Sequence, residues 1–312
     1  MAKKSSLKKP VRVVLFGAQR IAIDCIRRIK NYRNAELLLV VAVEKDYDRR
    51  FEYDSVIGYC RKNSIPCESS YVTGALMKRL KSMKPDVVLS AYYRGIFPPE
   101  LVSLPKIGCF NIHPSLLPEF RGPTPTAWAM LNQKKEFGIT LHKIDKGIDT
   151  GDILTQKKYP IKPTETGHQL HSRSMTLGSK LLIKELPKIL SNTFTARKQR
   201  GTGSYYGRLP SLQYINWRDS SDKILALIRV YSTPYNGARA VLNEREIIIN
   251  RAVKLKSANP VQGPGIIIKV SKNGNIQVSA SDGYIMITEF SFEKQNASTK
   301  KSVKAGMRFQ IS

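Results

Sequence analysis

Residues 11–43 read VRVVLFGAQRIAIDCIRRIKNYRNAELLLVVAV, and this stretch decides the fold. Val11 to Phe16 is an apolar run of strand length. Gly17-Ala18-Gln19-Arg20 interrupts it, and a helix follows to about Tyr32. Leu37 to Val43, the longest apolar run in the chain, fits a second buried strand. A strand, a glycine turn and a helix form a geometry that can cradle phosphate, because the helix N-terminus offers free N–H groups and a positive dipole end. A single glycine is equally consistent with a plain structural turn.

Outward from that stretch the alternation continues. Ser55 to Asn63 and Gly74 to Met83 read as helices, and Val87 to Tyr92, after Pro85-Asp86, reads as a third strand. Strands alternating with helices predict an α/β fold with a doubly wound, mainly parallel sheet, whose sites lie at the carboxyl ends of strands. The third strand ends in Tyr92-Tyr93-Arg94 and Gly95-Ile96-Phe97-Pro98, beside the next apolar run, Cys109 to Ile112. The two tyrosines suit aromatic core and rim packing. Residues 164–192 carry a long amphipathic helical pattern through Leu170, Met175, Leu181, Leu186 and Leu190. Its His168 and His171 lack acidic or cysteine neighbours at ligand spacing, so no metal site is expected. Asn192 to Pro210 is polar and rich in Gly, Ser and Thr, which marks a linker. After it a helix is expected from Ser221 to Tyr231. Strand-like runs follow at Arg245 to Val253, Gly265 to Val270, Asn275 to Ala280 and Tyr284 to Phe290, with hairpin signals at Asn273-Gly274 and Asp282-Gly283. The expected division is 1–192, a linker 193–210, and a smaller β-rich, barrel-like C-terminal domain 211–312.

The chemistry concentrates in residues 111–151, NIHPSLLPEFRGPTPTAWAMLNQKKEFGITLHKIDKGIDTG. Asn111 and His113 are two apart, so a strand ending here projects both to one face. Pro114 keeps His113 extended, at a strand-to-loop exit. Thr124 can cap a helix with Pro125 at its first position. Phe137, Ile139 and Leu141 alternate with Gly138, Thr140 and His142, a strand signal, and Asp149 falls in the turn before Ile153 and Leu154. An amide donor, an imidazole and a carboxylate suit acyl transfer to an amine. The amide can donate to the oxyanion, the imidazole can exchange protons near neutral pH, and Asp149 can stabilise charged His113 and order a water. On spacing alone, the trio reads at least as readily as unrelated turn and cap residues. Arg121 can bind a phosphate or fix its loop through a carboxylate, and His142 can face the substrate or simply complete the strand.

The chain has 312 residues, enough for two domains, and 41% apolar residues, which argues against wholesale disorder. No apolar run is long enough for a transmembrane helix. With 52 basic and 24 acidic residues the formal charge is +28. That predicts attraction to phosphorylated substrates, polyglutamylated folates, RNA or acidic membrane surfaces, without choosing among them, and is equally met by a solvated basic surface. Cys25, Cys60, Cys67 and Cys109 form no disulfide framework and lack zinc spacing, so a reducing cytoplasm is the expected compartment. The basic start MAKKSSLKKP reads as a frayed tail more than a signal peptide.

NIHPSLLPEFRG followed by GITLHKIDKGIDTGDIL resembles the folate-dependent formyltransferase family, which includes methionyl-tRNA, glycinamide ribonucleotide and nucleotide-aminosugar formyltransferases. The resemblance covers nearly the whole chain. It implies 10-formyltetrahydrofolate as donor and puts the family's catalytic Asn, His and Asp on Asn111, His113 and Asp149. It implies that the pterin is held by backbone groups of Arg94 and Ile96 and of Asp145 and Lys146. It brings Gln19 and Arg20 towards the acceptor's phosphate or ribose, beside Arg121 and His142. The methionyl-tRNA enzymes usually begin with Gly-Thr-Pro, carry a basic loop after the second strand and read Arg-Gly-Ala-Ala-Pro. Here the corresponding words are Gly17-Ala18-Gln19, the mixed-charge EKDYDRRFEYDS, and Arg121-Gly122-Pro123-Thr124-Pro125. Ala91-Tyr92-Tyr93-Arg94, Trp128 and Ser204-Tyr205-Tyr206-Gly207-Arg208 resemble instead the aminosugar branch, notably the enzyme acting on UDP-4-amino-4-deoxyarabinose. The expectation is therefore formylation of a nucleotide-linked aminosugar for surface glycans. Methionyl-tRNA formylation, which the charge favours, is second, and a catalytically silent RNA-binding protein is third. An oligomer is compatible with the sequence.

Overall fold

The structure, a computed structural model, describes residues 9–43, 55–256, 263–293 and 303–310. The N-terminal residues 1–8 and residues 44–54, which hold nearly all of EKDYDRRFEYDS, lie outside the described residues. Two compact units emerge. One comprises Met1–Pro125, Phe137–Tyr159 and Ser172–Tyr206; the other comprises Thr126–Glu136, Pro160–His171 and Gly207–Ser312.

The first unit is built on a seven-stranded sheet. Its strands are β1 (Val11–Gly17), β2 (Ala35–Ala42), β3 (Cys67–Ser69), β4 (Val87–Ala91), β5 (Gly108–His113), β6 (Glu136–Lys143) and β7 (Ile153–Pro160), in the order β3-β2-β1-β4-β5-β6-β7. The pairs from β3 to β5 are parallel, and β6 runs antiparallel to β5. Helices α1 (Gln19–Lys30), α2 (Val56–Lys62), α3 (Gly74–Met83) and the short α4 (Pro99–Val102) connect the parallel strands. This is the doubly wound arrangement expected, and the strand order reverses between β1 and β4, where such sheets open a crevice. Helix α1 forms because Ile21, Ala22, Cys25, Ile26 and Ile29 bury one face, while Arg27, Arg28 and Lys30 in its last turn complement the helix dipole. Gly17 is required by close packing: a Cβ there would lie 2.4 Å from the Ala22 Cβ.

One strand end and one additional strand depart from the sequence reading. The strand starting at Val87 ends at Ala91, because Tyr92 turns into the left-handed region at φ 61. It is also the fourth strand, preceded by the three-residue edge strand β3, which is too short to show a period of two. Helix α6 (Gly167–Leu190) packs on the sheet through Gly178, where an added Cβ would meet Ile21 and Ile112 at 3.0 Å.

In the second unit are α5 (Pro125–Leu131, all but its first residue), α7 (Ser221–Tyr231) and an antiparallel sheet of β8 (Ala238–Leu242), β9 (Arg245–Leu255), β10 (Ile267–Val270), β11 (Ile276–Ser279) and β12 (Tyr284–Phe292). The order is β10-β11-β12-β9-β8. Both edges are reached by one segment: Phe309 bridges Leu242 and Arg308 bridges Ile266, which gives the barrel-like closure. Trp217, fully buried, stacks on Phe309 at 4.6 Å inside it. The strand β8, ARAVL, was not anticipated, because its one charged residue, Arg239, interrupts the apolar pattern yet is itself buried.

Candidate active site

Two buried histidines of the first unit, His113 and His142, lie at the end of β5. The antiparallel register of β5 and β6 sets Asn111 opposite His142 and His113 opposite Thr140. Side chains two apart share a face, so Asn111, His113 and His142 converge. Asp149, in the loop between β6 and β7, completes the group. Its Oδ2 lies 3.4 Å from His113 Nδ1 and its Oδ1 lies 3.6 Å from His142 Nε2. Asn111 Nδ2 is 3.4 Å from Asp149 Oδ1 and 3.2 Å from His142 Nε2. In this arrangement the amide protons of Asn111 are directed at Asp149 and His142, over long hydrogen bonds.

Hydrogen-bond chemistry fixes the tautomers. His113 Nε2 lies 2.8 Å from the Phe120 carbonyl, which can only accept, so Nε2 carries the proton and Nδ1 faces Asp149 with its lone pair. His142 Nδ1 lies 2.6 Å from the Lys143 carbonyl, so its Nε2 accepts from Asn111. Burial holds the His113 pKa below the ordinary histidine value, against the opposing pull of Asp149 and of the Phe120 carbonyl; His142 adds to the lowering. Asp149 is held well below the usual carboxylate range. Burial alone would raise it, but the two imidazoles and the Gly122 N–H, at 3.0 Å, outweigh burial. The result at neutral pH is a neutral imidazole beside a carboxylate that stabilises any proton arriving at Nδ1.

The backbone around this cluster is unusual. Gln19, Tyr92, Phe120, Thr124 and Asp149 all have φ between 55° and 61°; Gln19 opens α1, Tyr92 follows β4, and the other three lie in loops. Left-handed backbone costs non-glycine residues about 1–2 kcal/mol each, and such residues concentrate at functional sites. Gly122, at φ +91, faces Tyr205 and Tyr206, and a Cβ there would lie 2.5 Å from the Tyr206 carbonyl.

The other residues singled out from sequence distribute as follows. Ile96 is 77% exposed and Arg94 is exposed, so their loop after β4 presents backbone and an apolar side chain to solvent. Asp145 turns its carboxylate inward, accepting from Gly147 N at 3.0 Å and Thr150 Oγ1 at 2.6 Å, with Lys146 exposed beside it. Arg20 donates to Thr176 Oγ1 at 2.6 Å, and Gln19 opens α1. Arg121 is fixed by an amide in place of the expected carboxylate. Its Nη2 donates to Gln199 Oε1 at 2.7 Å. His142 does more than complete its strand: it is buried within the cluster. Tyr93 packs on Phe16 at 5.1 Å, as rim and core aromatic.

Sequence reasoning missed the supports. Phe120 and Gly122 offer backbone groups to His113 and Asp149. Thr140 and Gln156 tie the 115–117 loop, Gln156 Nε2 donating to the Leu117 carbonyl at 2.9 Å. The polar stretch after Asn192 has no helix or named strand up to Tyr206, but it is firmly held: Arg197 pairs with Ile153, Ser204 Oγ accepts from Phe120 N at 2.8 Å, and Tyr206 stacks on Phe120. Gly122 sits in a Gly-Pro turn that hinted at its conformation; nothing local to Gln199 or Ser204 signals these contacts.

A doubly wound sheet with a titratable, amide-flanked cluster at its strand ends has the α/β architecture in which ligands bind at the carboxyl ends of strands. The formyl transferase family matches residues 11–186, and the formyl transferase C-terminal domain matches residues 210–308. The chain belongs to the formyl transferase family, whose members are folate-dependent formyl-transfer enzymes. It is 30% identical, over 302 residues and 95% of both chains, to a methionyl-tRNA formyltransferase of Clostridium acetobutylicum. Among solved structures it resembles an N-formyltransferase from Helicobacter canadensis in complex with folinic acid and dTDP-3-aminofucose. That match has a TM-score of 0.72 at 25% identity and covers 90% of this chain and 100% of that one. The fold also matches WlaRD, a sugar 3N-formyltransferase, with a TM-score of 0.71 at 24% identity, covering 93% and 100%. Among the described residues no helix is long and apolar enough to cross a membrane.

Proposed function

We propose that this enzyme transfers the formyl group of 10-formyltetrahydrofolate to the amino group of a nucleotide-linked aminosugar. The observation that carries the chemistry is the contact of a buried, neutral His113 with an ionised Asp149, flanked by Asn111. The folate donor supplies an activated formyl carbon. Asn111 turns an N–H from Asp149 towards the formyl oxygen as negative charge develops there. The acceptor amine attacks the formyl carbon, its surplus proton passes to His113 Nδ1, and Asp149 stabilises the resulting imidazolium. The bond to N10 breaks as that proton is returned to the leaving nitrogen. In this reading the loops carrying Arg94, Ile96, Asp145 and Lys146 hold the donor, and Gln19, Arg20 and the rim near Arg121 and His142 face the acceptor. The functional division is a catalytic part to residue 192, a connector to 210 and a C-terminal domain.

Two features favour a sugar acceptor. Two of the words resembling the aminosugar branch meet: Trp128 Nε1 donates to the Gly207 carbonyl at 2.8 Å, and the neighbouring Tyr205, 58% exposed, lies against Gly122 of the Arg-Gly loop. The chain also shares its fold, at 25% identity, with the Helicobacter canadensis N-formyltransferase solved in complex with folinic acid and dTDP-3-aminofucose. A second reading, formylation of initiator methionyl-tRNA, draws on the 30% identity to the clostridial enzyme and on the +28 charge, since tRNA contacts are electrostatic. The test follows tetrahydrofolate release from 10-formyltetrahydrofolate against a panel of nucleotide-linked aminosugars and against charged initiator tRNA. Release with one sugar and none with tRNA supports the first reading; release with tRNA alone reverses the order. Release with neither, in a protein that binds RNA in a salt-sensitive way, points to the non-catalytic alternative.

A further inference from the structure

Gln199 uses its whole side-chain amide on two loops of the first unit. Its Oε1 accepts from Arg121 Nη2 at 2.7 Å and from Nε at 3.3 Å. Its Nε2 donates to the Asp149 carbonyl at 2.8 Å and the Gly151 carbonyl at 2.9 Å. Arg121 is itself locked by its backbone, whose N–H donates to Ser204 O at 2.9 Å and whose carbonyl accepts from Tyr206 N at 3.0 Å. The Asp149 peptide is left-handed at φ 55, so it needs outside support to hold its orientation. The carboxylate on that peptide is 3.4 Å from His113 Nδ1, a distance at which a small rotation of the loop changes the pairing.

We propose that Gln199 is a positioning residue, whose amide clamps the Asp149 peptide to Arg121 and so keeps the Asp149 carboxylate against His113. The inference rests on the reading of His113 and Asp149 given above and adds the element that aligns them. The charged and titratable groups facing His113 are Asp149 from the β6–β7 loop and His142 from β6. Loss of the clamp therefore acts on His113 through Asp149, and leaves His142, held by Lys143 O, in place.

The test is a proton titration of the histidines by NMR, without substrates, in the full chain. The chain has four histidines, and His113 is assigned with an H113Q variant. Asp149 supports the protonated form of His113, so weakening their contact lowers the His113 pKa. In Q199M the expected shift is about half a unit downward or more, with kcat about 10-fold lower and the KM for the folate donor within about twofold. In a D149N background, Q199M adds no further shift, which separates positioning of Asp149 from general loosening. If Q199M does not fold, R121M removes the other jaw of the clamp and is expected to shift His113 in the same direction by less. A His113 titration unchanged in Q199M, or a shift that persists in D149N, overturns the proposal. Because the titration needs no acceptor, its failure is distinct from failure of the functional reading, which H113A activity tests separately.

Discussion

Each unit buries charged side chains against one another, and the two sets behave differently. In the second unit Arg239, on β8 and only 8% exposed at its side chain, donates through Nη1 to Glu246 at 3.0 Å and to Glu293 at 2.8 Å, and Tyr214 donates its hydroxyl proton to Glu246. A guanidinium never loses its proton in a protein, so the centre of this cluster keeps its charge, and its acidic partners reach solvent. In the first unit the partners are imidazoles and one carboxylate. The hydrogen bonds among Asn111, His142 and Asp149 run from 3.2 to 3.4 Å, and the backbone beneath Asp149 and Phe120 is left-handed. Burial of charge is common to both; only the first set can change its protonation near neutral pH and has bonds loose enough to be exchanged for a substrate. On the reading proposed above, the difference separates a structural ion cluster from the reaction site.

The largest effect that would break this comparison comes from His113. H113A is expected to lower kcat of the folded enzyme about 1,000-fold, because it removes the proton acceptor, with a loss of about 1–3 kcal/mol in urea unfolding for the vacated site and the Phe120 carbonyl left without its donor. Full formyl transfer in that variant would sink the assignment. D149N comes next, with kcat about 100-fold lower. Its pH dependence carries the sharper information. Burial lowers the His113 pKa and Asp149 raises it, so removing the carboxylate leaves burial opposed by the Phe120 carbonyl alone. The acid limb of kcat/KM, which marks protonation of His113, then moves to lower pH in D149N. A limb that stays in place, or moves upward, would mean that a different group titrates.

The fold was legible because its signals are local. Glycine turns, period-two runs and amphipathic helices announce β1, α1, β2, α3 and the hairpin at Gly274, whose N–H closes the turn onto Ser271. Strands β3 and β8 were not legible, one for lack of length and the other because Arg239 looks exposed until Glu246 and Glu293 are seen to neutralise it. At the site, the spacing of Asn111 and His113 and the turn at Asp149 suggested proximity. The contribution of His142 depended on the register of β5 against β6, which no residue of either strand encodes alone. Gln199 and Ser204 are 50 and 84 residues from the backbone groups they hold, at Asp149 and Phe120, in a stretch whose composition says only that it is polar.

The ion cluster of the second unit supplies the converse experiment. R239M keeps most of the buried hydrocarbon but removes the charge, leaving Glu246 and Glu293 to water. About 2 kcal/mol of stability should be lost in urea unfolding, less than for a fully buried pair because Glu293 is half exposed. Formyl transfer per folded molecule should stay within about twofold of the parent, since none of these groups titrates with the reaction. A large loss of kcat in folded R239M would remove the distinction drawn between the two clusters.

The smallest effect tests the finest point, the second imidazole. His142 Nε2 accepts from Asn111, and its Nδ1 is already committed to the Lys143 carbonyl. In H142F the Asn111 amide loses an acceptor worth about 1 kcal/mol, which corresponds to about a fivefold fall in kcat if Asn111 must be oriented for the reaction. Glutamine can offer a carbonyl oxygen in place of Nε2, so H142Q should recover most of that loss, whereas a purely steric role would be served better by phenylalanine. The order H142Q above H142F, with the acid limb of the pH profile moved slightly upward in both because His142 no longer lowers the His113 pKa, assigns His142 to orienting Asn111. The reverse order would assign it to packing, and would leave Asp149 as the sole orienting partner of the amide.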